Sequence, residues 1–233
     1  LKKYSMKYIG EELENFSIAK FWRKYVLSKV THILKDKNVL EVGAGIGSFS
    51  EIIVDRCDQL TLLEPDTDFA DYLEKKFVNN NKTKVLNGTI DNIDNELFDV
   101  ILHFQVLEHI KDDYAEILKN LSLIKKNGYL VICVPSFMSL YSNFDKSIGH
   151  YRRYEKKDFK KFELKNSKIE KMFYIDSFGF LIYKLFNIFI NSDKPNKTLI
   201  FIWDRIFIPL SIILDKLLLN KIGKNLIVII KKN

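Results

Sequence analysis

The stretch GHYRRY, residues 149–154, brings together the side chains of this sequence that are best suited to chemistry on a polar substrate. It sets the imidazole of His150 close to two guanidinium groups, those of Arg152 and Arg153, and it ends on the phenol of Tyr154. An imidazole can accept a proton near neutral pH. A guanidinium group can hold a carboxylate or a phosphate through two parallel hydrogen bonds. The chain has only five arginines among its 37 Lys and Arg residues, so two in tandem favour a place in the wall of an acceptor site.

A structural role is the alternative for these arginines, in which one of them pairs with Glu108 or Asp145 and fixes the loop. Since neighbouring side chains of an extended segment point apart, we expect at most one guanidinium group to face a substrate. A second candidate base is His109, in the stretch VLEHI, and its alternative role is a hydrogen bond to the backbone at the start of a helix. We expect His103 to pack in the core and His32 to face solvent.

Short apolar runs alternate with helical patterns from residue 38 onward, and these elements must position the reactive side chains. The runs are NVLEV, QLTLLE, KVLNG, FDVILHF and GYLVICV, with helices predicted near 47–57, 67–77, 106–125 and 156–166. Strands separated by helices of this length imply right-handed crossovers and a parallel sheet that is covered on both faces. The pattern therefore predicts a doubly wound, Rossmann-like α/β fold.

The predicted fold divides the chain into four parts. They are a helical cap (1–36), the core of the fold (37–176), an apolar helical insertion (177–224) and the last strand (225–233). The cap is inferred from the amphipathic spacing of Phe16, Phe21 and Tyr25. The predicted sixth and seventh strands, Lys168–Tyr174 and Asn225–Ile230, lie about 50 residues apart, which requires the insertion. We expect a seven-stranded, mostly parallel sheet whose last strand is antiparallel.

Ligands of open parallel sheets bind at the carboxyl ends of the strands, near the point where the strand order reverses. After the first predicted strand comes the turn Gly43-Ala44-Gly45-Ile46-Gly47, in which the backbone can bend sharply and approach a ligand closely. Glu64 ends the second strand, where its carboxylate could accept both hydroxyl groups of a ribose. Thr89 and Ile90 follow the third strand and could flank a flat base. The three strand tips together predict an adenosine site.

The glycine spacing narrows the choice of adenosine cofactor. The turn reads G-x-G-x-G and not the G-x-G-x-x-G of a dinucleotide site, and the chain has no G-x-x-x-x-G-K-[ST] phosphate loop, so a pyrophosphate ligand is disfavoured. The segments VLEVGAGIGSFS, LLEPD, NGTI, FDVILHFQVLEHIKDD and GYLVICVPS resemble the successive motifs of class I S-adenosylmethionine-dependent methyltransferases. GHYRRY is similar to a segment of a bacterial subgroup with varied acceptors, some members of which are fused to glycosyltransferases.

This resemblance implies that the cofactor is S-adenosylmethionine and assigns a role to each strand tip. Asp91 is an alternative to Thr89, because many relatives have an acidic residue close to the adenine amino group. The implied cofactor residues are Gly43, Ala44, Gly45 and Gly47 at the methionine moiety, Glu41 near its amino group, Glu64 with Pro65 at the ribose, Thr89 and Ile90 at the adenine, and Gln105, Val106 and Leu107 along the methyl donor.

The sulfonium cofactor supplies its own leaving group, so the protein mainly has to align the acceptor and exclude water. An oxygen acceptor also needs a base, for which His109 and His150 are the candidates. We predict a methyltransferase that acts at oxygen on a small or lipid- or glycan-linked polar acceptor. One alternative is a cofactor-binding partner or membrane adaptor protein without catalysis. A nucleic-acid methyltransferase ranks third, because HFQV replaces the [ND]-P-P-[YFW] motif after the fourth strand.

The predicted insertion contains two apolar runs, residues 178–190 and 198–219. The longest uncharged part of the second run, Ile206–Leu214, has nine residues, whereas a membrane span needs roughly 20. These helices could cover the acceptor site, form a homodimer face or lie on a membrane. Residues 146–171 hold ten Lys or Arg against four Asp or Glu, so an anionic membrane surface is a further expected partner.

The two cysteines, Cys57 and Cys133, have no metal-type spacing, and we expect core packing and no metal site. The sequence from residue 1 lacks the apolar centre of a signal peptide. We therefore expect a cytoplasmic protein, with peripheral attachment at the inner membrane face as the alternative.

Overall fold

The computed structural model of the protein describes residues 7–8, 12–94, 96–163, 166–186 and 197–233. Its strands are β1 (Asn38–Val42), β2 (Gln59–Glu64), β3 (Thr83–Asn87), β4 (Phe98–Phe104), β5 (Ile124–Pro135), β6 (Ser167–Ile175) and β7 (Asn225–Lys232). They form one seven-stranded sheet of order β3-β2-β1-β4-β5-β7-β6. Only β7 runs antiparallel to its neighbours, which are β5 and β6. The predicted α/β fold with an antiparallel last strand is confirmed.

Helices connect the strands and cover both faces of the sheet. In the described ranges they are α1 (Glu12–Phe16), α2 (Lys20–Ser28), α3 (Ser50–Ile53), α4 (Thr67–Lys76), α5 (Asp113–Ser122), α6 (Asn143–Ser147), α7 (Lys156–Phe159), α8 (Ser177–Phe186), α9 (Lys197–Ile202) and α10 (Ile208–Leu217). A π-helical turn, Trp203–Phe207, joins α9 to α10 without a break.

Two apolar cores lie on opposite faces of the sheet, because successive side chains of a strand alternate between its faces. In β1, Val39 packs into the core that also contains Trp22 of α2. The next residue, Leu40, packs into the other core, together with Ile117 of α5. The strands are buried on both sides, as the near-continuous apolar runs of the sequence predict.

Two buried aspartates attach the helices of the insertion to α2. Asp204 accepts hydrogen bonds from the backbone N–H groups of Phe21 (3.1 Å) and Trp22 (2.8 Å), at the first turn of α2. Asp215 of α10 accepts a hydrogen bond of 2.6 Å from the phenol of Tyr25. Since these backbone donors would otherwise be unpaired at the helix start, the aspartates stabilise α2 and fix its position over the sheet.

The two ends of the insertion meet at the end of β6. Asp215 also accepts hydrogen bonds of 2.8 Å from the backbone N–H groups of Asp176 and Ser177, where α8 begins. The N–H of Lys224 donates to the carbonyl of Asp176 at 3.0 Å, where the chain returns to the sheet. A Cβ on Gly223 would clash with the carbonyl oxygen of Ile175, so only glycine fits at this return point.

Several helices differ from their predicted bounds. The helix predicted over 106–125 begins only at Asp113, because Leu107–His109 forms a 3-10 turn and Asp112 caps the following helix by accepting the N–H of Ala115. The helix predicted near 47–57 is reduced to α3. The helix predicted near 156–166 ends at Phe159 and continues as a 3-10 turn.

Some sequence predictions fall on residues outside the described ranges. Within the predicted cap these are residues 1–6 and 9–11, and within the predicted insertion they are residues 187–196, which include the end of the first apolar run. Within the described ranges, no helix combines the length and the apolar character needed to cross a bilayer.

We expect Asp215→Asn to lower the free energy of unfolding by about 2–3 kcal/mol, because an amide cannot accept all three hydrogen bonds and leaves a buried donor unpaired. Urea denaturation followed by circular dichroism measures the change. The matched control is Asp71→Asn on the exposed side of α4, which should change the stability by less than about 0.5 kcal/mol. Equal losses in the two variants would contradict the role given to Asp215.

Candidate active site

The turn after β1 has backbone angles that favour glycine at three positions. Gly43, Gly45 and Gly47 have φ values of +67°, +55° and +72°. A Cβ on Gly43 would lie 2.7 Å from a methyl carbon of Val106, and one on Gly47 would lie 2.8 Å from Leu73. Both substitutions would therefore combine backbone strain with a steric clash.

Glu64 connects this turn to the tip of β2. Its Oε2 accepts the N–H of Gly45 at 2.7 Å, and its Oε1 accepts the N–H of Asp66 at 2.9 Å. The side chain is buried, and burial raises the pKa of Glu64 to about 7 despite these two hydrogen bonds. A carboxyl group with such a pKa changes its charge near neutral pH.

Glu41, in β1, lies beneath the same turn. It is buried, and its Oε2 accepts a hydrogen bond of 2.6 Å from the hydroxyl group of Ser50, the first residue of α3. Burial also raises the pKa of Glu41 to about 7. This hydrogen bond links β1 to the first residue of α3, and it occupies one of the two oxygens of the Glu41 carboxylate.

The tip of β3 lies beside that of β2, because Asn87 pairs with Glu64 in the sheet and the N–H of Gly88 donates to the Glu64 carbonyl at 3.0 Å. Thr89 starts a 3-10 turn there, and its N–H donates to the side-chain oxygen of Asn92 at 2.8 Å. Asp91 is largely exposed and lies 3.9 Å from the ammonium group of Lys119. Of the two candidates for contact with the adenine, Thr89 lies closer in the chain to the end of β3 than Asp91 does.

The tip of β4 carries an unusual backbone conformation. Gln105 has a φ of +58°, which a residue other than glycine adopts only at a cost in energy. Its side-chain amide donates to the carbonyl of Cys133 and to the Asn225 side chain, both at 3.2 Å, and these bonds hold it in place. The following residue, Val106, is the one whose methyl groups lie against Gly43. Strain of this kind is common at functional sites.

An N-terminal residue crosses this edge of the sheet. The backbone N–H of Tyr8 donates to the carboxylate of Asp66 at 2.8 Å, while Asp66 also caps the start of α4. The Tyr8 ring lies 6.1 Å from the ring of Phe69 and 5.7 Å from that of His109, centroid to centroid. Sequence reasoning missed Tyr8 and Asp66. The capping position of Asp66 before a helix was readable, but no sequence pattern links it to a residue 58 positions away.

The GHYRRY segment is held by the buried carboxylate of Asp145. Arg153 donates two hydrogen bonds of 2.9 Å to it, from Nε and Nη2, and Nδ1 of His150 lies 2.8 Å from its Oδ1. Burial alone would raise the pKa of Asp145, yet the hydrogen bond with His150 and the charge of Arg153 hold that pKa well below its usual range. The carboxylate thus stays ionised and fixes the loop.

Arg152 and Tyr154 connect the segment to the residues that follow β4. Arg152 lies 2.8 Å from the carboxylate of Asp113 and donates to the Lys111 carbonyl at 2.7 Å. The phenol of Tyr154 is 3.1 Å from the Leu107 carbonyl and 3.0 Å from the Asp113 carboxylate. Both guanidinium groups of the segment are therefore paired with carboxylates of the chain itself.

Three side chains converge where this loop meets the turn after β4. Glu108 is fully buried, and within the described part of the chain neither of its carboxylate oxygens has a hydrogen-bond partner. The nearest ring nitrogen, Nε2 of His150, is 3.8 Å from its Oε1. Burial raises the pKa of Glu108 to about 7. Glu108, His109 and His150 offer atoms within 4.8 Å of one another, so these described residues could hold a metal ion, whereas the sequence analysis predicts no metal site.

His109 is a neutral imidazole between two rings. Its pKa is lowered to about 3, mainly by burial and also by the electrostatic effect of His150, while Asp145 and a hydrogen bond with the backbone of Ile148 oppose the shift. Its ring lies edge-on to that of His150, 4.6 Å away. The two remaining histidines lie where we expect them from the sequence, one in the core and one facing solvent. His103 is buried 3.1 Å from the side-chain oxygen of Asn120, and His32 is exposed.

The chain matches known proteins in sequence and in fold. Over 74 residues it is 32% identical to ribosomal RNA small subunit methyltransferase A of Geobacter metallireducens, and over 66 residues it is 30% identical to the protein of that name from Legionella pneumophila strain Corby. These matches cover 30% and 27% of this chain, and only 27% and 26% of those relatives, so they concern about a quarter of each relative.

Similar solved structures share the fold at low sequence identity. Coclaurine N-methyltransferase, solved with N-methylheliamine and S-adenosylhomocysteine, has a TM-score of 0.63 at 13% identity and covers 97% of this chain and 82% of its own. The N-methyltransferase NodS from Bradyrhizobium japonicum has a TM-score of 0.59 at 13% identity and covers 95% of this chain and 98% of its own.

A family model described as a methyltransferase domain matches residues 17–177, which is more than half of the chain. The match includes the glycine turn, Glu64, the turn after β4 and the whole GHYRRY segment. The chain therefore belongs to the methyltransferase domain family.

Proposed function

We propose that the protein transfers a methyl group from S-adenosylmethionine to a hydroxyl oxygen of a small or lipid- or glycan-linked polar acceptor. Family membership supports methyl transfer. The choice of an oxygen acceptor is supported above all by the half-buried imidazole of His109 in the turn after β4, which is in its proton-accepting form at neutral pH. When bound, the cofactor supplies the methyl group on a sulfonium leaving group.

The strand tips fit such a cofactor. The positive φ values of Gly43, Gly45 and Gly47 bend the chain sharply after β1, as a close approach of a ligand to the backbone requires. The buried carboxylate of Glu64 has two oxygens at the adjacent tip. In this proposal the methionine moiety lies along Gly43, Ala44, Gly45 and Gly47, the ribose on Glu64 beside Pro65, the adenine at Thr89 and Ile90, and the donor methyl group along Gln105, Val106 and Leu107. Glu41 lies beneath the glycine turn and is hydrogen-bonded to Ser50.

His109 accepts the proton of the acceptor in this proposal. One nitrogen of its ring is engaged with the backbone of Ile148, which leaves the other nitrogen to accept a hydrogen bond from the hydroxyl group. The carboxylate of Glu108, at most 4.8 Å away, stabilises the imidazolium ion that forms. Tyr8 and His150 flank the ring and keep water away from it.

The GHYRRY segment positions this base. We assign His150 and Arg153 to the Asp145 carboxylate, and Arg152 and Tyr154 to Asp113, because the described contacts join these groups. Within the described chain, Nη1 of Arg153 is buried without a hydrogen-bond partner. The alternative role of the arginines, in which they pair with carboxylates of the chain and fix the loop, therefore has more support than a direct contact with the acceptor. The resemblance to a subgroup with varied acceptors stays a prediction.

A nitrogen acceptor is the second candidate. The two structural neighbours are named as N-methyltransferases, and a buried carboxylate without a hydrogen-bond partner, such as Glu108, suits a cationic ammonium group. The two candidates differ in the product. A methyl group labelled with ¹³C has distinct chemical shifts on oxygen and on nitrogen.

The function is tested by incubating the purified protein with methyl-labelled S-adenosylmethionine and separate fractions of polar metabolites and lipids from cell extracts. We expect one fraction to stimulate release of S-adenosylhomocysteine and to yield a labelled, O-methylated product. No stimulation by any fraction, with cofactor binding intact, would favour the non-catalytic partner protein. A labelled ammonium product would assign the nitrogen acceptor.

We expect Glu64→Gln to weaken the binding of S-adenosylhomocysteine about 30-fold, equivalent to roughly 2 kcal/mol, because an amide cannot accept both ribose hydroxyl groups. Isothermal titration calorimetry measures the affinity. Glu74→Gln, on the exposed side of α4, is the matched control and should leave it unchanged. If Glu64→Gln bound as tightly as this control, the ribose site would lie elsewhere.

The affinity for S-adenosylhomocysteine should fall as the pH falls below 7. Burial raises the pKa of Glu64 to about 7 in the free protein, and the ribose hydroxyl groups bind its ionised form, so binding at lower pH requires the loss of a proton. We expect a dissociation constant about tenfold larger at pH 6 than at pH 8. Glu64→Gln should remove most of this dependence, and an equally steep profile in that variant would exclude Glu64 as its cause.

His109→Ala should lower kcat about 10²- to 10⁴-fold with the identified acceptor, because the proton acceptor is lost, while the affinity for S-adenosylhomocysteine changes little. Steady-state kinetics and calorimetry measure the two effects. The control is His32→Ala at the exposed position, which should match the unchanged protein. If the His109→Ala variant kept its full kcat, His109 would be excluded as the base.

A further inference from the structure

The helix that runs from Lys197 to Leu217, through α9, the π-helical turn and α10, exposes an apolar face although it buries several polar residues. The side of this helix that packs on the protein carries Asp204, Ser211 and Asp215, whose exposed fraction is 0%, together with the buried Ile200 and Ile208. The opposite side carries Leu199, Ile206, Leu210, Ile213 and Leu217, which are 42–74% exposed. We refer to these five residues as the apolar stripe. A helix of a globular protein ordinarily buries its apolar face and exposes its polar face.

The apolar stripe is continuous along the helix. Its members are spaced mainly by three or four positions, so they follow one face over a length of roughly 27 Å. The neighbouring helix α8 adds Leu181 and Leu185, which are 42% and 62% exposed. A contiguous exposed apolar surface of this kind marks a site of interaction, because single exposed leucines are common but a row of them is not.

The charges around the apolar stripe are positive. Between residues 197 and 221 both carboxylates are buried, and the exposed charges belong to Lys197, Arg205, Lys216 and Lys221. The guanidinium group of Arg205 lies over the ring of Phe21, with its carbon 4.7 Å from the ring centre.

The adjoining helix α2 continues this positive surface. It exposes Lys20 and Lys24 and contains no acidic residue. An exposed carboxylate of the nearby α1 is Glu14. Cations therefore outnumber this anion on the described surface around the stripe.

We propose that the apolar stripe lies in the surface of a membrane that contains anionic lipids. An apolar helix face bordered by lysine and arginine is the pattern of helices that lie in the plane of a bilayer, with the apolar side chains among the acyl chains and the cations at the headgroups. The same border opposes a homodimer through this face, because two copies would bring like charges together. The inference rests on this surface alone and does not depend on which acceptor is methylated.

Flotation of the purified full chain with lipid vesicles tests this proposal. We expect the protein to float at 20 mM salt with vesicles of phosphatidylcholine and phosphatidylglycerol. We expect it to stay at the bottom with phosphatidylcholine alone, and to be released from the anionic vesicles at 500 mM salt, because added salt screens attraction to the charged surface.

Two pairs of variants separate the apolar and the charged contributions. Ile213→Ser with Leu217→Ser should abolish flotation, whereas Val78→Ser with Leu97→Ser, which alters side chains that are 74% and 47% exposed elsewhere, should float normally. Lys216→Glu with Lys221→Glu should lower the bound fraction about tenfold or more. Lys35→Glu with Lys82→Glu, at exposed positions away from the stripe, should have a much smaller effect. Unchanged affinity for S-adenosylhomocysteine shows that each variant is folded.

Three results would overturn the proposal. The first is protein that remains at the bottom of the gradient with anionic vesicles at 20 mM salt. The second is equal flotation of the stripe variant and its matched control. The third is a dimer, seen by sedimentation equilibrium without lipid, that Ile213→Ser with Leu217→Ser converts to a monomer, since the stripe would then be covered by a second copy. Loss of methyl transfer with normal flotation would concern the proposed function alone.

Discussion

The hydrogen-bonded register of the central strands is the constraint on which the site depends. Val42 of β1 pairs with Leu63 of β2 and with His103 of β4, and Glu64 of β2 pairs with Asn87 of β3, so four strands end at nearly the same level. Each strand is followed by a turn that cannot continue it, because of glycines, a helix cap or a residue with positive φ. Parallel strands bring these turns to one edge, where residues far apart in the chain become neighbours.

Buried carboxylates attach the parts of the chain that lie outside the sheet. Asp145 holds the GHYRRY loop, Asp204 and Asp215 hold α2, and Asp66 holds both α4 and the backbone of Tyr8. In most of these contacts an aspartate accepts backbone N–H groups, which gives the contact a fixed geometry and satisfies donors that helix starts leave unpaired. The lysine-rich composition conceals this feature, because the acidic residues that matter are buried and the lysines are mostly exposed.

The fold and the strand tips were predictable because they depend on local patterns. Apolar runs located all seven strands to within a few residues, and the glycine spacing and Glu64 marked turns that do lie together at the carboxyl edge of the sheet. The start of α5 was not predicted, because VLEHIKDD fits a helical pattern until Asp112 caps a later start. The partner of Arg153 also stayed open, because the sequence offers several carboxylates and only the folded loop selects Asp145. The contact of Tyr8 joins distant segments and has no local signal.

The two ends of the insertion meet at one point of the sheet, and this arrangement affects how the protein family can diversify. Lys224, the last residue of the insertion, is hydrogen-bonded to Asp176, which directly precedes its first residue, at a point where Gly223 leaves no space for a side chain. The strands β6 and β7 therefore pair along their whole length without regard to how much chain separates them. The segment between Asp176 and Lys224 can therefore be lengthened, shortened or exchanged without displacing the strand tips that carry the glycine turn and Glu64.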